Sequence, residues 1–160
     1  MVPTLATIAL IIQGDHLCLC KKATGEFGAG TLIPPGGKCE HAEFGSPRYT
    51  VVREVIEETS FILRPEPEYL EWVGLLMTFL RGHHWFSVHV YRSLFIAGRW
   101  HTRPEMGVEW HHTSDLPYDR MRSSDRFWMP RALSGKQFVA FIHYGENEHD
   151  LKHIDLQKVD

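Results

Sequence analysis

The sequence predicts an α+β fold, an α/β/α sandwich in which helices cover both faces of a mixed central sheet. Two observations lead to this class. Several short runs of apolar and β-branched residues are separated by turn signals, and only two or three stretches carry a helical pattern. At 160 residues and 43% hydrophobic composition, the chain can bury one sizeable core. We therefore expect a single domain that covers residues 1–160.

The strands are predicted from residue type and from the turns between them. In chain order they cover residues 5–12, 17–20, 69–80, 85–96, 108–111, 136–144 and 151–159. The turn signal Gly14-Asp15 separates the first two strands at hairpin distance. Gly82-His83-His84 and Gly145-Glu146-Asn147 are predicted turns between two further antiparallel pairs.

Two helices are expected. The first covers Ser46 to Thr59, and the second is short and follows an irregular stretch, with Ser124 or Asp125 as its N-cap. In the first helix, Glu54, Glu57 and Glu58 fall at helical spacing and share one face.

This crowding of three carboxylates is unfavourable by itself, because like charges at helical spacing cost about 0.2–0.5 kcal/mol per exposed pair. A bound cation reverses the effect. Mg²⁺ is hard, prefers oxygen ligands and commonly bridges protein carboxylates to substrate phosphates, and Mn²⁺ is the alternative cation. The competing interpretation is a solvated acidic helix face without function.

A glycine pair precedes the acidic helix. Gly36-Gly37-Lys38 is predicted as an irregular loop that brings backbone groups and one cation close to a phosphate. The glycine loop and the carboxylate cluster together favour phosphate chemistry over a plain acidic surface.

With these residues in place, the chain resembles the MutT/Nudix hydrolase family. The matching signature positions are Gly37, Arg53, Glu54, Val55, Glu57, Glu58 and Phe61. The first signature glutamate falls on Gly45 when counted back from Arg53, and on Glu43 when counted forward from Gly37. A two-residue insertion between Gly37 and the helix accounts for this difference. Ser60 stands where the family has a helix-ending glycine, which predicts a strained or differently built cap.

The resemblance covers most of the chain and is closest to the oxidised-purine nucleoside triphosphatases, which hydrolyse 8-oxo-dGTP. It implies that Mg²⁺ is held by Gly36 (through its carbonyl), Glu54, Glu57, Glu58 and Glu105. It implies a phosphate region around Pro35, Gly36, Gly37, Lys38 and Arg53. It also implies a nucleoside pocket at Thr7, Lys21 and Phe27, with Asp125 reading the purine edge.

Base recognition departs from that subgroup at three positions. Ile33 replaces a base-contacting asparagine, Arg122 replaces the aromatic residue that stacks on the base, and Ser124 replaces the first of two acidic residues. A bidentate contact is worth roughly 1–3 kcal/mol of discrimination, so these changes leave the base open.

The implied activity is Mg²⁺-dependent hydrolysis of a nucleoside triphosphate to the monophosphate and pyrophosphate. Glu57 or Glu58 is the expected general base, with Glu105 as a second candidate. Two alternatives stay open: hydrolysis of another nucleoside diphosphate derivative such as a nucleotide sugar, and a non-catalytic nucleotide-binding module. The second is motivated by Gly45 and Ser60, which interrupt the signature.

The composition limits the partners. A formal net charge of −3 argues against binding to a nucleic acid polymer. The three cysteines form neither a disulfide framework nor a zinc-ligand spacing, which fits a reducing setting. No stretch approaches about 18 apolar residues, so no membrane segment is expected. We expect a soluble cytoplasmic protein, a monomer or weak dimer, that acts on a small-molecule nucleotide.

Overall fold

The structure is a computed structural model that describes residues 2–22, 30–43, 45–94, 96–97 and 107–159. The strands are β1 (Thr4–Gln13), β2 (His16–Lys21), β3 (Leu32–Ile33), β4 (Gly36–Lys38), β5 (Ile62–Leu63), β6 (Leu70–Leu80), β7 (His83–Ser93), β8 (Ile96–Ala97), β9 (Val108–His112), β10 (Phe138–Tyr144) and β11 (Leu151–Lys158). The helices in these ranges are α1 (Pro47–Thr59) and α2 (Asp125–Leu133), with short 3₁₀ turns at His41–Glu43 and Tyr118–Arg120.

Within the described ranges, the main sheet has nine strands and mixed direction. Its path runs β11-β10-β6-β7-β1-β2-β3, with β4 beside β1 and β9 beside β2, and β5 and β8 form a separate two-stranded ribbon. The β1–β7 and β10–β6 pairs are parallel, and the other pairs are antiparallel. The predicted α+β class with a mixed central sheet is confirmed.

The sheet separates two apolar clusters, one under each helix. Alternate residues of β1 point to opposite faces, so Ile8 and Leu10 join the cluster that contains Trp128 of α2. Ala9 and Ile11 join the cluster that contains Val51 and Val55 of α1. Helices therefore cover both faces of the sheet, as the predicted sandwich requires.

The predicted hairpins are confirmed. β1 pairs antiparallel with β2, β6 with β7, and β10 with β11. The middle turn is shorter than predicted, because His83 and His84 belong to β7. No helix in the described ranges is both long and apolar enough to span a membrane.

The prediction of an irregular loop at Gly36-Gly37-Lys38 is wrong. These residues form β4, which pairs antiparallel with Ala6, Thr7 and Ile8 of β1. The pairing needs glycine, because a Cβ on Gly36 would lie 2.1 Å from the backbone oxygen of Thr7. The absence of a side chain permits this close approach of two backbones.

Candidate active site

Helix α1 begins and packs in a way that leaves its acidic face towards β4. The hydroxyl of Ser46, the N-cap, accepts a hydrogen bond from the backbone N–H of Tyr49 at 3.3 Å, and Pro47 occupies the first turn. Val51 and Val55 are fully buried against the sheet. Because this apolar face is fixed against the sheet, the helix geometry also fixes the direction in which Glu54, Glu57 and Glu58 point.

The end of α1 adopts the left-handed conformation despite the absence of glycine. Ser60 has φ 65°, and its N–H donates to the carbonyl of Ile56 at 2.9 Å. The hydroxyl of Thr59 donates to the carbonyl of Val55 at 2.7 Å and accepts from the N–H of Phe61 at 3.0 Å. These bonds hold the strained cap that the sequence predicted.

A two-pronged ion pair joins α1 to the segment before it. Arg53 donates through Nε to Glu43 Oε2 at 2.7 Å and through Nη2 to Glu43 Oε1 at 2.8 Å. Thr50 and the backbone N–H of Glu40 also donate to Glu43. The Arg53 hydrogen bonds lower the pKa of Glu43 to about 2. Of the two candidates for the first signature position, only Glu43 has a carboxylate, and Arg53 binds it.

Arg53 also contacts two of the three clustered carboxylates. Its Nη1 lies 3.0 Å from Glu54 Oε1 and 3.3 Å from Glu57 Oε2. Glu58 lies on the buried side of the cluster, where its Oε2 accepts from the N–H of Gly36 at 3.4 Å. Burial raises the pKa of Glu58 to about 7, and the charge of Glu54 contributes to the increase. Burial likewise raises the pKa of Glu54.

Gly37 lies directly against the Glu54 carboxylate. A Cβ built on Gly37 would be 2.4 Å from Cδ of Glu54 and 2.6 Å from its Oε2. Because Gly37 has no side chain, the Glu54 carboxylate can occupy the space beside it. Strand β4 and helix α1 are therefore in contact at Gly37 and Glu54.

The cluster fits a hard divalent cation by its chemistry. Within the described residues, no three His, Cys, Asp or Glu side chains already converge as a metal site. Glu54, Glu57 and Glu58 nevertheless supply only oxygen donors, and their like charges meet beside the glycines of β4. Burial is the main cause of the raised pKa of Glu58, and a cation bound here would remove the carboxylate repulsion that adds to it.

A narrow pocket of about 60 Å³ opens beside β4. It is lined by Ala6, Thr7, Ile8, Lys22, Ile33, Gly36, Gly37, Lys38, Phe86, Val88 and Arg122. The structure thus brings together six residues that the sequence had assigned to substrate or metal, namely Thr7, Ile33, Gly36, Gly37, Lys38 and Arg122. Pro35 is buried behind them, and its carbonyl accepts from the N–H of Ala9 at 2.8 Å.

Sequence reasoning assigned no site role to five of the pocket residues, namely Ala6, Ile8, Lys22, Phe86 and Val88. Lys22 lines the pocket, whereas its neighbour Lys21 is exposed at the end of β2. Phe86 and Val88 form an apolar wall from alternate positions of β7. Period-two alternation in β7 was the available signal, because residues two apart share a face. The role assigned to Lys21 stays a prediction.

Of the residues that the structure describes, three cationic ones line this pocket: Lys22, Lys38 and Arg122. Burial lowers the pKa of Lys22, and the charges of Arg122 and Lys38 lower it further. Cations held together in a partly buried space favour an anionic ligand, because the ligand removes both repulsion and desolvation.

Two further residues that were assigned to the base, Ser124 and Asp125, lie at the start of α2. Asp125 is fully buried, and its oxygens have no hydrogen-bond partner in the described part of the chain. Its Oδ1 lies 3.7 Å from Nε of Arg122, and burial raises its pKa. Ser124, at the N-cap position, makes no side-chain capping bond and pairs instead with the hydroxyl of Tyr144 at 2.9 Å.

Phe27 and Glu105, assigned to the base and to the metal by resemblance, lie outside the described residues.

An acidic helix face set against a glycine strand, beside a cationic pocket, suits a ligand that carries phosphate groups. The chain belongs to the NUDIX family, because the family model of the NUDIX domain matches residues 2–132. It is a pyrophosphohydrolase that acts on phosphoric anhydride bonds. No curated protein matches the sequence.

Solved structures share the fold. The mutator MutT protein from Bacillus halodurans superposes with a TM-score of 0.78 at 22% identity, over 96% of this chain and 97% of that one. The MutT NUDIX hydrolase from Burkholderia pseudomallei gives 0.58 at 24% identity, over 73% and 88%. A UDP-X diphosphatase gives 0.52 at 18% identity, over 84% and 64%.

Proposed function

We propose that the protein hydrolyses a nucleoside triphosphate to the nucleoside monophosphate and pyrophosphate, with Mg²⁺ as the working cation. The observation that carries the proposal is the meeting of Glu54 and Glu58 with Gly36 and Gly37 at the mouth of a cationic pocket. The extensive overlap with a protein called MutT supports the fold on which the proposal rests.

Oxygen atoms of Glu54, Glu57, Glu58 and the Gly36 carbonyl would hold the cation, with Mn²⁺ as the alternative to Mg²⁺. When bound, it offsets negative charge on the phosphate oxygens and lowers the pKa of water. Glu105 is a further proposed ligand.

The chain's own residues divide the remaining work. Lys22 and Lys38 attract the polyphosphate and orient it along β4. Glu57 and Glu58 are the candidates for accepting the proton of the attacking water at a carboxylate oxygen. Glu57 is the more accessible of the two, since 58% of its side chain is exposed. Arg53 fixes the direction of Glu54 and Glu57 through its contacts with both.

Replacing Glu57 with Gln tests the proposal. We expect turnover to fall about 10²–10⁴-fold, because a positioned carboxylate is lost, while nucleotide affinity changes little. Pyrophosphate release and calorimetric binding measure the two quantities. Glu66→Gln, at an exposed position paired with Arg64, is the matched control and should keep wild-type turnover. Near-normal turnover of Glu57→Gln contradicts the proposal.

A second candidate is hydrolysis of a nucleoside diphosphate linked to another group, such as a nucleotide sugar. Arg122 in the pocket favours it, because a cation stands where the resemblance expects a base-stacking aromatic ring. The overlap with a UDP-X diphosphatase is compatible with this chemistry. Product analysis separates the candidates: pyrophosphate supports the first, and two phosphorylated organic products support the second. Binding without any product supports a non-catalytic nucleotide-binding module.

We also propose that the protein is a monomer or weak dimer and that it acts on the nucleotide pools of the cytoplasm. The three cysteines are buried free thiols, which suits a reducing compartment.

A further inference from the structure

Strand β11 forms one edge of the main sheet. Among the strands of the described ranges, only β10 lies beside it, so its outer side carries no strand partner there. An edge strand presents a row of backbone N–H and C=O groups, which pairs readily with a strand of another chain. The partner that this outer side fits is set by its backbone groups and by the side chains on either face.

Alternate residues of β11 direct their backbone groups outwards. The N–H of Val159 donates to the carbonyl of Gln137 at 3.1 Å, and the register between β10 and β11 is constant from there back to His153. Because the bonds of an antiparallel ladder alternate along the strand, the odd-numbered residues of this stretch bond to β10. Ile154 and Leu156 therefore direct their N–H and C=O groups away from the sheet.

The side chains of β11 differ between the two faces of the sheet. Ile154 and Leu156 are partly buried and pack against the apolar cluster under α2. His153 and Asp155 are exposed and belong to the opposite face, because residues two apart in a strand share a face. The carboxylate of Asp155 accepts from the amide of Gln157 at 3.1 Å on that same face. The outer edge thus carries an imidazole and a carboxylate two residues apart.

We propose that β11 pairs antiparallel with β11 of a second copy of this chain, across a two-fold axis at Ile154. In such a contact, residues at equal distances before and after the axis lie opposite each other. His153 of each copy then lies opposite Asp155 of the other, which gives two matched pairs of an N–H donor and a carboxylate. The inference is independent of the reaction that the protein catalyses.

The backbone and the apolar face agree with the same axis. The N–H and C=O of Ile154 both point outwards, so each copy can donate one hydrogen bond to the other and accept one. The side chain of Ile154 meets its counterpart on the face that α2 covers, and the apolar cluster continues from one copy into the next.

Other two-fold registers lack this complementarity. Opposed residues must share a face, so the axis passes through a residue of the strand. An axis at Asp155 sets two carboxylates directly opposite each other, which is destabilising. An axis at Leu156 sets Asp155 opposite Gln157 of the second copy and matches no imidazole with a carboxylate. The axis at Ile154 is the register that the side chains favour.

The contact is short, and the dimer is therefore weak. Between His143 and Tyr144 the register of β10 and β11 shifts, which leaves Lys152 as an extra residue on β11. This irregularity limits the regular ladder on the N-terminal side of Ile154. We expect an association that depends on protein concentration, as is typical of small interfaces.

Charge exchange at two positions tests the surface and its register by sedimentation velocity from micromolar to millimolar protein. The wild type should shift from monomer to dimer over this range. His153→Asp sets a carboxylate opposite Asp155 in both pairs, so its dissociation constant should rise about 10-fold. The double variant His153→Asp with Asp155→His restores each matched pair in reverse order and should return to near the wild-type dissociation constant.

The control is His83→Asp, which makes the same charge change at an exposed position at the start of β7. It should dimerise like the wild type, and thermal denaturation verifies that each variant is folded. A wild type that remains monomeric at millimolar concentration overturns the proposal. Wild-type dimerisation of His153→Asp, or a double variant no better than the single one, overturns it as well. Pyrophosphate release plays no part in the measurement, so these results leave the proposed function untouched.

Discussion

Glu43 shows at the scale of one residue how an ion pair orients an active-site helix. Its carboxylate is 6% exposed and receives both prongs of the Arg53 guanidinium, while Thr50 and the Glu40 N–H fill its remaining lone pairs. Arg53 in turn reaches Glu54 and Glu57. The position of the Glu54 and Glu57 carboxylates thus depends on a residue that does not itself line the pocket.

Replacing Glu43 with Gln should therefore lower both stability and activity. Removing the Glu43 charge from this largely buried pair leaves Arg53 with only its weaker contacts to Glu54 and Glu57, and we expect a loss of roughly 3 kcal/mol in the free energy of unfolding. Urea denaturation measures it. Glu40→Gln is the control, since its carboxylate is 72% exposed and 3.8 Å from Arg53. Its effect should stay within about 0.5 kcal/mol. Equal stabilities for the two variants contradict the structural role of Glu43.

The sequence alone left two such residues ambiguous. It offered Gly45 and Glu43 equally as the signature position, and only the observed Arg53 contact distinguishes them. It assigned Lys21 to the nucleoside pocket, a role that stays a prediction, and gave no role to Lys22, which lines the narrow pocket. Both uncertainties concern a shift of one or two residues, which local pattern does not resolve because the deciding contacts come from other elements.

At the scale of elements, the junction of β4 with α1 depends on the missing side chain of Gly37. In Gly37→Ala, the new methyl group displaces the Glu54 carboxylate, which is the flexible end of its side chain. We expect the fold to survive and the affinity for Mg²⁺ to fall at least about 10-fold, as shown by Mg²⁺ titration of activity.

Gly45→Ala provides the comparison for that variant, because a Cβ at position 45 meets no atom within 4 Å. It should keep wild-type Mg²⁺ dependence. Identical titrations for Gly37→Ala and the wild type argue against a cation at this junction.

The end of α1 permits a stabilising change. Ser60 holds φ 65°, a conformation in which glycine has no Cβ penalty. Ser60→Gly should raise the free energy of unfolding by about 0.5–1 kcal/mol, measured by thermal or urea denaturation. Ser60→Ala keeps the strained Cβ and should give no gain. A less stable glycine variant shows that contacts of the serine outweigh the backbone strain.

At the scale of the whole molecule, the hairpins were predictable and the parallel pairs were not. The β1–β2, β6–β7 and β10–β11 pairs join strands that are adjacent in sequence across recognisable turns. The parallel β1–β7 and β6–β10 pairs join distant segments, and no local signal specifies them. The glycines of β4 were predicted to form a loop because glycine has a low strand propensity. Their pairing with β1 outweighs that low propensity.

Buried Asp125 should give global stability an unusual pH dependence. Burial raises its pKa above the ordinary value of 3.8, so the native state keeps this proton to a higher pH than the unfolded chain does. Its contribution to stability is therefore greatest below the unfolded-state pKa and declines as pH rises. Asp125→Asn removes that decline.

We expect the stability of Asp125→Asn relative to the wild type to increase from about pH 4 to about pH 8 in urea denaturation. Asp119→Asn is the control and should show no such trend, because the Asp119 side chain is fully exposed. A relative stability that decreases over this range shows that the Arg122 ion pair, rather than burial, dominates at Asp125.

The place of β1 at the centre of the sheet has a consequence for folding kinetics. Thr4 to Ile11 pair with Phe86 to Ser93, so β1, which is synthesised before β7, waits for a partner that lies about 80 residues later in the chain. Such non-local pairing requires closing a long loop before any contact between β1 and β7 forms. It is therefore slower than hairpin formation. During synthesis, the apolar β1 must remain soluble until β7 emerges, and this interval is when the chain is most exposed to aggregation.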